Sequence, residues 1–152
     1  MTEQPSPMER RLVLRLLHYW RGLSDGDAFP AEASIDSAAI ADMWLNCAIL
    51  DVAGKETDPE ISYLGTALLD AVGVNVSGQK LSRVPADTLV ARGFSYFGQV
   101  LAKRVPITYG GDFVDRRGVK ILYRSIILPL SADGTNINRL LAAANCREVA
   151  ED

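Results

Sequence analysis

The stretch from Val119 to Leu130 constrains this chain more than any other. An antiparallel strand with one wet face alternates apolar and polar residues. Here Val119, Ile121, Tyr123 and Ile127 fall on one face, while Leu122, Ile126, Leu128 and Leu130 fall on the other. Both faces of the sheet that holds this strand must therefore be covered. Helices from the middle of the chain can cover one face. An amphipathic N-terminal helix, from the same chain or a second copy, is the candidate for the other.

The flanking sequence supplies the neighbours of that strand. Upstream, Val105, Ile107, Tyr109 and Phe113 alternate with Pro106, Thr108 and Asp112, and Asp115-Arg116-Arg117-Gly118 reverses the chain. Downstream, Asp133-Gly134 is a hairpin signal, and Ile137 to Val149 returns as a third long strand. Two short connections between three strands predict an antiparallel meander. Gly110-Gly111 lacks the Lys-Ser/Thr and the helix of a phosphate loop, so within a strand it marks a bulge or a close approach.

The first half reads as helices around a hairpin. Residues 1–7 form a loose tail. An amphipathic helix follows over residues 8–24, with Met8, Leu12, Leu16 and Tyr19 at helical spacing, Val13, Leu17 and Trp20 beside them, and Arg10, Arg11, Arg15 and Arg21 on much of the remainder. Ser24-Asp25-Gly26-Asp27 stops it. A second helix starts after Ser34 or Asp36 and runs to about Met43. Leu45 to Ala53 forms a strand, residues 54–59 a turn, and Ile61 and Tyr63 alternate with Glu60 and Ser62 in a second strand. Gly65-Thr66 opens a short helix with Leu64, Leu68 and Val72 on one side, closed by Gly73. A longer helix follows Pro85 with Asp87 as its cap, and Val90, Phe94, Phe97 and Leu101 form its seam.

The 152 residues suit one domain, whose sheet-and-helix body spans 34–149. A net charge of -3 argues against a nucleic-acid partner, which calls for a basic excess. No apolar run approaches the ~20 residues that span a bilayer, and MTEQPSPMER lacks the features of a secretory leader, so the expectation is a cytoplasmic protein without a membrane partner. Cys47, Cys146 and the single histidine, His18, are too few and too scattered for a zinc site. The cysteines read as small buried hydrophobes that stay reduced in the cytoplasm.

Four short motifs carry a resemblance: Leu17-His18-Tyr19-Trp20, Leu64-Gly65-Thr66, Val74-Asn75-Val76-Ser77-Gly78 and Leu128-Pro129-Leu130-Ser131-Ala132-Asp133-Gly134. In this order, and over residues 16 to about 148, the chain resembles the compact stand-alone PAS-domain proteins of alphaproteobacteria. The resemblance implies an α+β fold: a five-stranded antiparallel sheet, helices on one face with a small cavity between, and the N-terminal amphipathic helix in addition. In that strand order the strands of Cys47 and Cys146 are neighbours. It also implies a non-catalytic sensory and regulatory module that binds a small molecule or a partner protein.

Within that family the cofactors can be weighed residue by residue. Haem needs an axial ligand in the cavity, and His18 sits on the N-terminal helix, so haem is disfavoured. Asn145-Cys146-Arg147 is similar to the flavin-reactive motif of light-oxygen-voltage photoreceptors, but it falls in the last strand rather than in a mid-domain helix. Covalent flavin is disfavoured too, and the cofactor stays unknown. No convergent His, Cys or Lys set marks a catalytic site, and no Cys–His pair is placed together. Asp112 and Asp115 read as solvated charges; a carboxylate base at Asp112 or Asp51 is the enzymatic alternative.

The ligand-cavity candidates are Tyr63, Phe94, Phe97, Tyr109 and Tyr123, an apolar set with hydroxyls to orient a small metabolite. Arg124, on the strand face opposite Tyr123, is either a polar contact or a surface charge. The interface candidates are Leu12, Leu16, Tyr19, Trp20, Leu122 and Ile126, which serve either to cap the chain's own sheet or to build a homodimer. The chain is expected to carry no effector of its own and to signal through a partner signalling protein. The alternative is a docking module with a filled core and no ligand.

Overall fold

The computed structural model describes residues 7–24, 26 and 28–149, with side chains from residue 11 onward. The expectations for residues 1–6, for the side chains of Met8 and Arg10, and for Asp25 and Asp27 lie outside the described residues. The strands are β1 (Cys47–Asp51), β2 (Glu60–Leu64), β3 (Ile107–Val114), β4 (Lys120–Leu130) and β5 (Arg139–Glu148). They form one antiparallel sheet in the order β2-β1-β5-β4-β3. The predicted meander is β3-β4-β5, and β1 joins it by pairing with β5, which puts the strands of Cys47 and Cys146 side by side.

The doubly apolar strand behaves as its sequence demands. Ile121, Tyr123 and Ile127 of β4 enter a core with α3 (Thr66–Val72), α4 (Leu89–Gly93) and α5 (Phe97–Lys103). Ile126, Leu128 and Leu130 enter a second core with α1 (Pro7–Arg21) and α2 (Ala41–Trp44). Leu12, Val13 and Leu16 of α1 are buried there, and the Trp20 indole donates to the Pro129 carbonyl at 2.8 Å. The cover on the second face is thus the chain's own helix. Pro129 has no N–H to give the ladder, and its carbonyl serves to hold α1.

Four local expectations change. The helix expected after Ser34 or Asp36 shrinks to α2, four residues from Ala41, preceded by a 3-10 turn at Glu32–Ser34. The Asp36 carboxylate does accept the Ala38 amide at 3.1 Å, but this closes a turn rather than a helix. The link through Asp133-Gly134 is longer than a two-residue hairpin, because β5 begins at Arg139 instead of Ile137. Asp133 organises this loop by accepting the amides of Thr135 at 2.9 Å and Asn136 at 2.7 Å.

The long helix after Pro85 is two helices, α4 and α5. Phe94 and Tyr96 are both buried. Residues two apart on a continuous helix point about 200° apart, so both reach the sheet only if the helix breaks. The break follows Gly93, where a Cβ would lie 3.5 Å from Ala144 Cβ and 3.7 Å from Ser125 Cβ. These are ordinary contact distances, so glycine contributes here as a weak helix former rather than by lack of volume.

The cap of α4 is Thr88, one residue beyond the expected Asp87. Its Oγ1 donates to the Pro85 carbonyl at 2.7 Å and accepts the Ala91 amide at 3.3 Å. Thr88 is buried, so water does not replace these bonds in a truncated side chain. Thr88→Ala is expected to cost about 1–2 kcal/mol, read as a lower urea midpoint with unchanged slope.

Candidate functional site

The helical face carries an open cleft of about 280 Å³ where α3 and α4 meet the far ends of β3, β4 and β5. Leu89, Phe113 and Ile121 give it an apolar floor, and Asp87, Arg117, Arg147 and Glu148 a charged rim. The β3–β4 turn shapes the mouth. Arg117 bridges Asp115 at 2.7 Å and Glu148 at 2.5 Å. Arg116 donates to the Val72 carbonyl at 2.8 Å, tying the turn to the end of α3. Asp115 accepts the Arg117 amide at 2.9 Å, and Gly118 takes the left-handed conformation (φ 82°) that completes the turn.

None of the five predicted cavity residues lines this cleft. Phe94 is fully enclosed between helix and sheet, and Phe97 packs half-buried on the same core. Tyr123 is buried, and its hydroxyl donates to the Arg92 carbonyl at 3.4 Å. Tyr109 is half exposed and stacks on Tyr96 at 5.2 Å between ring centroids. Tyr63 belongs to the opposite face, stacked on Trp44 at 4.4 Å with its hydroxyl donating to the Trp44 carbonyl at 3.0 Å. Phe94, Phe97, Tyr109 and Tyr123 share the helical face, and Tyr63 stands apart from them.

Sequence reasoning missed Tyr96. Its hydroxyl lies 2.9 Å from Ser125 Oγ in the interior. Burial drives its pKa up, against the opposing effect of the Ser125 hydrogen bond. Ser125, the one small hydroxyl in an otherwise apolar stretch of β4, was the available signal: a buried hydroxyl needs a partner.

The interface candidates are gathered on the α1 face. Leu12, Leu16, Leu122 and Ile126 are buried, while Tyr19 and Trp20 are partly so. The Tyr19 hydroxyl accepts the Asp36 amide at 2.8 Å. The two adjacent glycines of β3 serve this sheet on both sides. A Cβ at Gly110 would lie 3.2 Å from an Arg124 guanidinium nitrogen, and one at Gly111 would lie 3.1 Å from the Tyr123 hydroxyl. The register stays regular through them, so the pair marks a close approach rather than a bulge.

The candidate bases are placed far from a concerted site. Asp51 pairs with Arg139 at 2.5 Å. Burial opposes its charge, but the Ala53 amide, Arg139 and Lys55 outweigh it and hold the carboxyl below its ordinary range. Asp112 is exposed on edge strand β3, and His18 is exposed on α1. Among the described residues no group of three or more His, Cys, Asp or Glu side chains gathers as a metal site, and no helix is long and apolar enough to cross a membrane.

The two cysteines differ, contrary to the reading of both as buried. Cys146 is exposed and lines the open helical-face cleft near the end of β5. Cys47 is buried, which pushes its thiol up to about 12. The thiolate is the reactive form. Cys47 is therefore expected to react with a maleimide only at the rate of unfolding, reaching completion in urea, as read by peptide mass spectrometry.

Three solved structures share this fold. A light-oxygen-voltage domain studied with a flavin analogue is 19% identical, with 76% of this chain and 84% of that chain covered and a TM-score of 0.50. The PAS domain of Bordetella pertussis BvgS is 17% identical, with coverage of 76% and 89% and a TM-score of 0.51. VqmA bound to DPO is 12% identical, with coverage of 73% and 57% and a TM-score of 0.52. No curated protein matches the sequence. The family of PAS domains matches residues 8–144, which takes in α1, the whole helical layer and the sheet as far as Ala144 in β5. With the strand order and the helical cover in agreement, the chain belongs to the PAS-domain family.

Proposed function

We propose that this chain is a non-catalytic sensory and regulatory PAS module that takes a small molecule at the helical-face cleft. The observation that supports the reading is the cleft itself: an apolar floor of Leu89, Phe113 and Ile121 beneath a rim that carries both signs of charge. That is the composition of a small-molecule site. The cleft is bounded by α3, α4 and three strand ends, so an occupant touches the helical layer and the sheet at once. The output passes through contacts with a second copy or a partner signalling protein, in the cytoplasm.

A ligand-free docking module is the second reading. It is favoured by the interior behind the cleft, where Phe94, Val90 and Tyr96 fill the space between helices and sheet. Native mass spectrometry of gently purified protein separates the two, since it reads subunit number and added mass together. A defined small mass that is lost in Leu89→Arg supports the sensor. Unliganded protein from several growth conditions removes it in favour of docking.

A further inference from the structure

The two edges of the sheet differ. At the β2 edge the Ile61 amide donates to the Gln79 carbonyl at 2.8 Å, the Gly78 amide donates to the Ile61 carbonyl at 2.7 Å, and Glu60 bridges to Lys80. The β3 edge has no such cover among the described residues, because β3 pairs with β4 alone. Natural proteins blunt an open edge with proline, lysine, a bulge or a very short strand. β3 is eight residues long, holds neither proline nor lysine, and keeps a regular register with β4 throughout. It also leaves Tyr109 50% and Val114 57% exposed.

The parity of β3 decides what its edge offers. The Asp115 amide donates to the Val119 carbonyl at 2.9 Å, so the odd-numbered residues of β3 turn their backbone groups to β4. Those of Thr108, Gly110, Asp112 and Val114 face outward. The side chains of these four share the α1 face of the sheet, since Gly110 is opposite Arg124 and Asp112 opposite Leu122. The Arg124 side chain reaches over Gly110: a Cβ there would lie 3.2 Å from a guanidinium nitrogen and 3.5 Å from Cδ. A cation therefore crosses the glycine toward the open edge. Among the described residues neither Arg124 nor the exposed Asp112 has a salt-bridge partner, and the Arg124 Nε makes no hydrogen bond.

We propose that two copies of this chain pair through β3 in an antiparallel two-fold dimer centred on Gly111, which joins their sheets into one. A two-fold axis normal to the sheet keeps both α1 layers on one side, so opposed residues share a face and the axis passes through a residue. Charge selects that residue. Centred on Gly110, the register brings two Arg124 side chains together over the paired glycines; centred on Asp112, it opposes two carboxylates. Centred on Gly111, it sets Asp112 of each copy opposite Gly110 of the other, beside Arg124, and forms the ion pair twice. The same register puts Tyr109 opposite Phe113 on the helical face and Val114 opposite Thr108 on the α1 face. One strand edge is small beside the about 1,200–2,000 Å² of a stable complex, so the pair is weak and the chain stays a monomer at low micromolar concentration. The pairing does not rest on the helical-face cleft, and its failure leaves the ligand reading standing.

The test uses the full chain, followed by sedimentation velocity and nitrogen-15 NMR from low micromolar to millimolar concentration. The expected result is a mass that rises toward the dimer while the Gly110 and Asp112 amides gain protection from hydrogen exchange. Asp112→Lys opposes two cations and Arg124→Glu opposes two anions, so each variant alone should associate at least tenfold more weakly. Mixed in equal amounts, the two variants should associate as strongly as the unaltered chain, because both contacts of the mixed pair again join opposite charges. Dispersed spectra at low concentration establish that each variant is folded. The proposal is overturned by a mass that stays monomeric at millimolar concentration, or by a dimer whose Gly110 and Asp112 amides gain no protection. It is equally overturned by unchanged association in both variants, or by a mixture no stronger than its folded components.

Discussion

Gly65→Ala is expected to destabilise the domain by at least about 3 kcal/mol, the range of severe overpacking. A Cβ at Gly65 would lie 2.5 Å from the Leu45 carbonyl carbon and 2.7 Å from the Trp44 carbonyl oxygen, and closer still to the Leu45 oxygen. These are backbone atoms, so no rotamer change relieves them. The surrounding bonds also hold the site in place: the Gly65 amide donates to the Cys47 carbonyl at 2.8 Å, and the Ala67 amide donates to the Leu45 carbonyl at 3.0 Å. Glycine is needed here for lack of volume, since its φ of -65° is ordinary. Gly98→Ala is the control. No atom lies within 4 Å of a Cβ there, and the position is inside α5, so alanine should stabilise by ~0.5–1 kcal/mol. Urea unfolding of both variants reads the contrast; equal midpoints would refute the crowding at Gly65.

Much of the architecture was legible because β4 allows few solutions. A strand apolar on both sides requires two covering layers, and the only stretches able to supply them were the N-terminal amphipathic segment and the middle helices. Gly110-Gly111 was readable as a bulge or a close approach, since glycine in a strand removes volume, and the regular register decides for the second. What escaped was tertiary. The seam Val90, Phe94, Phe97 and Leu101 fits one helix, yet Tyr96 competes for the sheet because Ser125 needs a hydroxyl partner, and the helix breaks. The helical-face cleft depends on Arg116 and Arg117 reaching residues 44 and 31 positions away, Val72 and Glu148, which no local pattern encodes. Tyr63 was placed with the other aromatics on residue type alone; the parity of β2 relative to β1 decides its face, and a bulge between Ile49 and Leu50 shifts that register.

Removing residues 1–24 is expected to destroy the monomer. Leu12, Val13 and Leu16 lose all their sheet contacts, and at ~1.5–3 kcal/mol each this amounts to about 5–9 kcal/mol. A whole domain of this size is stable by about 5–15 kcal/mol. The loss also bares Ile126, Leu128, Leu130 and Leu141 as one apolar face, which a soluble monomer does not leave uncovered. The expected product elutes as a dimer or larger species, or shows no cooperative unfolding. A synthetic peptide of residues 7–24 added in trans should restore the monomer. A folded monomer of unchanged midpoint would show that α1 contributes little. The magnitude also limits how the domain can signal. A ligand at a thousand times its Kd supplies only about 4 kcal/mol, less than undocking α1 into water costs. A change at the helical layer can reach this segment, since Arg104 at the end of α5 lies 5.1 Å from the Phe29 ring in the chain that leaves α1. Complete release of α1 then requires a replacement for the burial it gives up, such as the matching helix of a second copy or the apolar surface of a partner. Under the proposed sensory role, a ligand would loosen the helix and a partner would take its place.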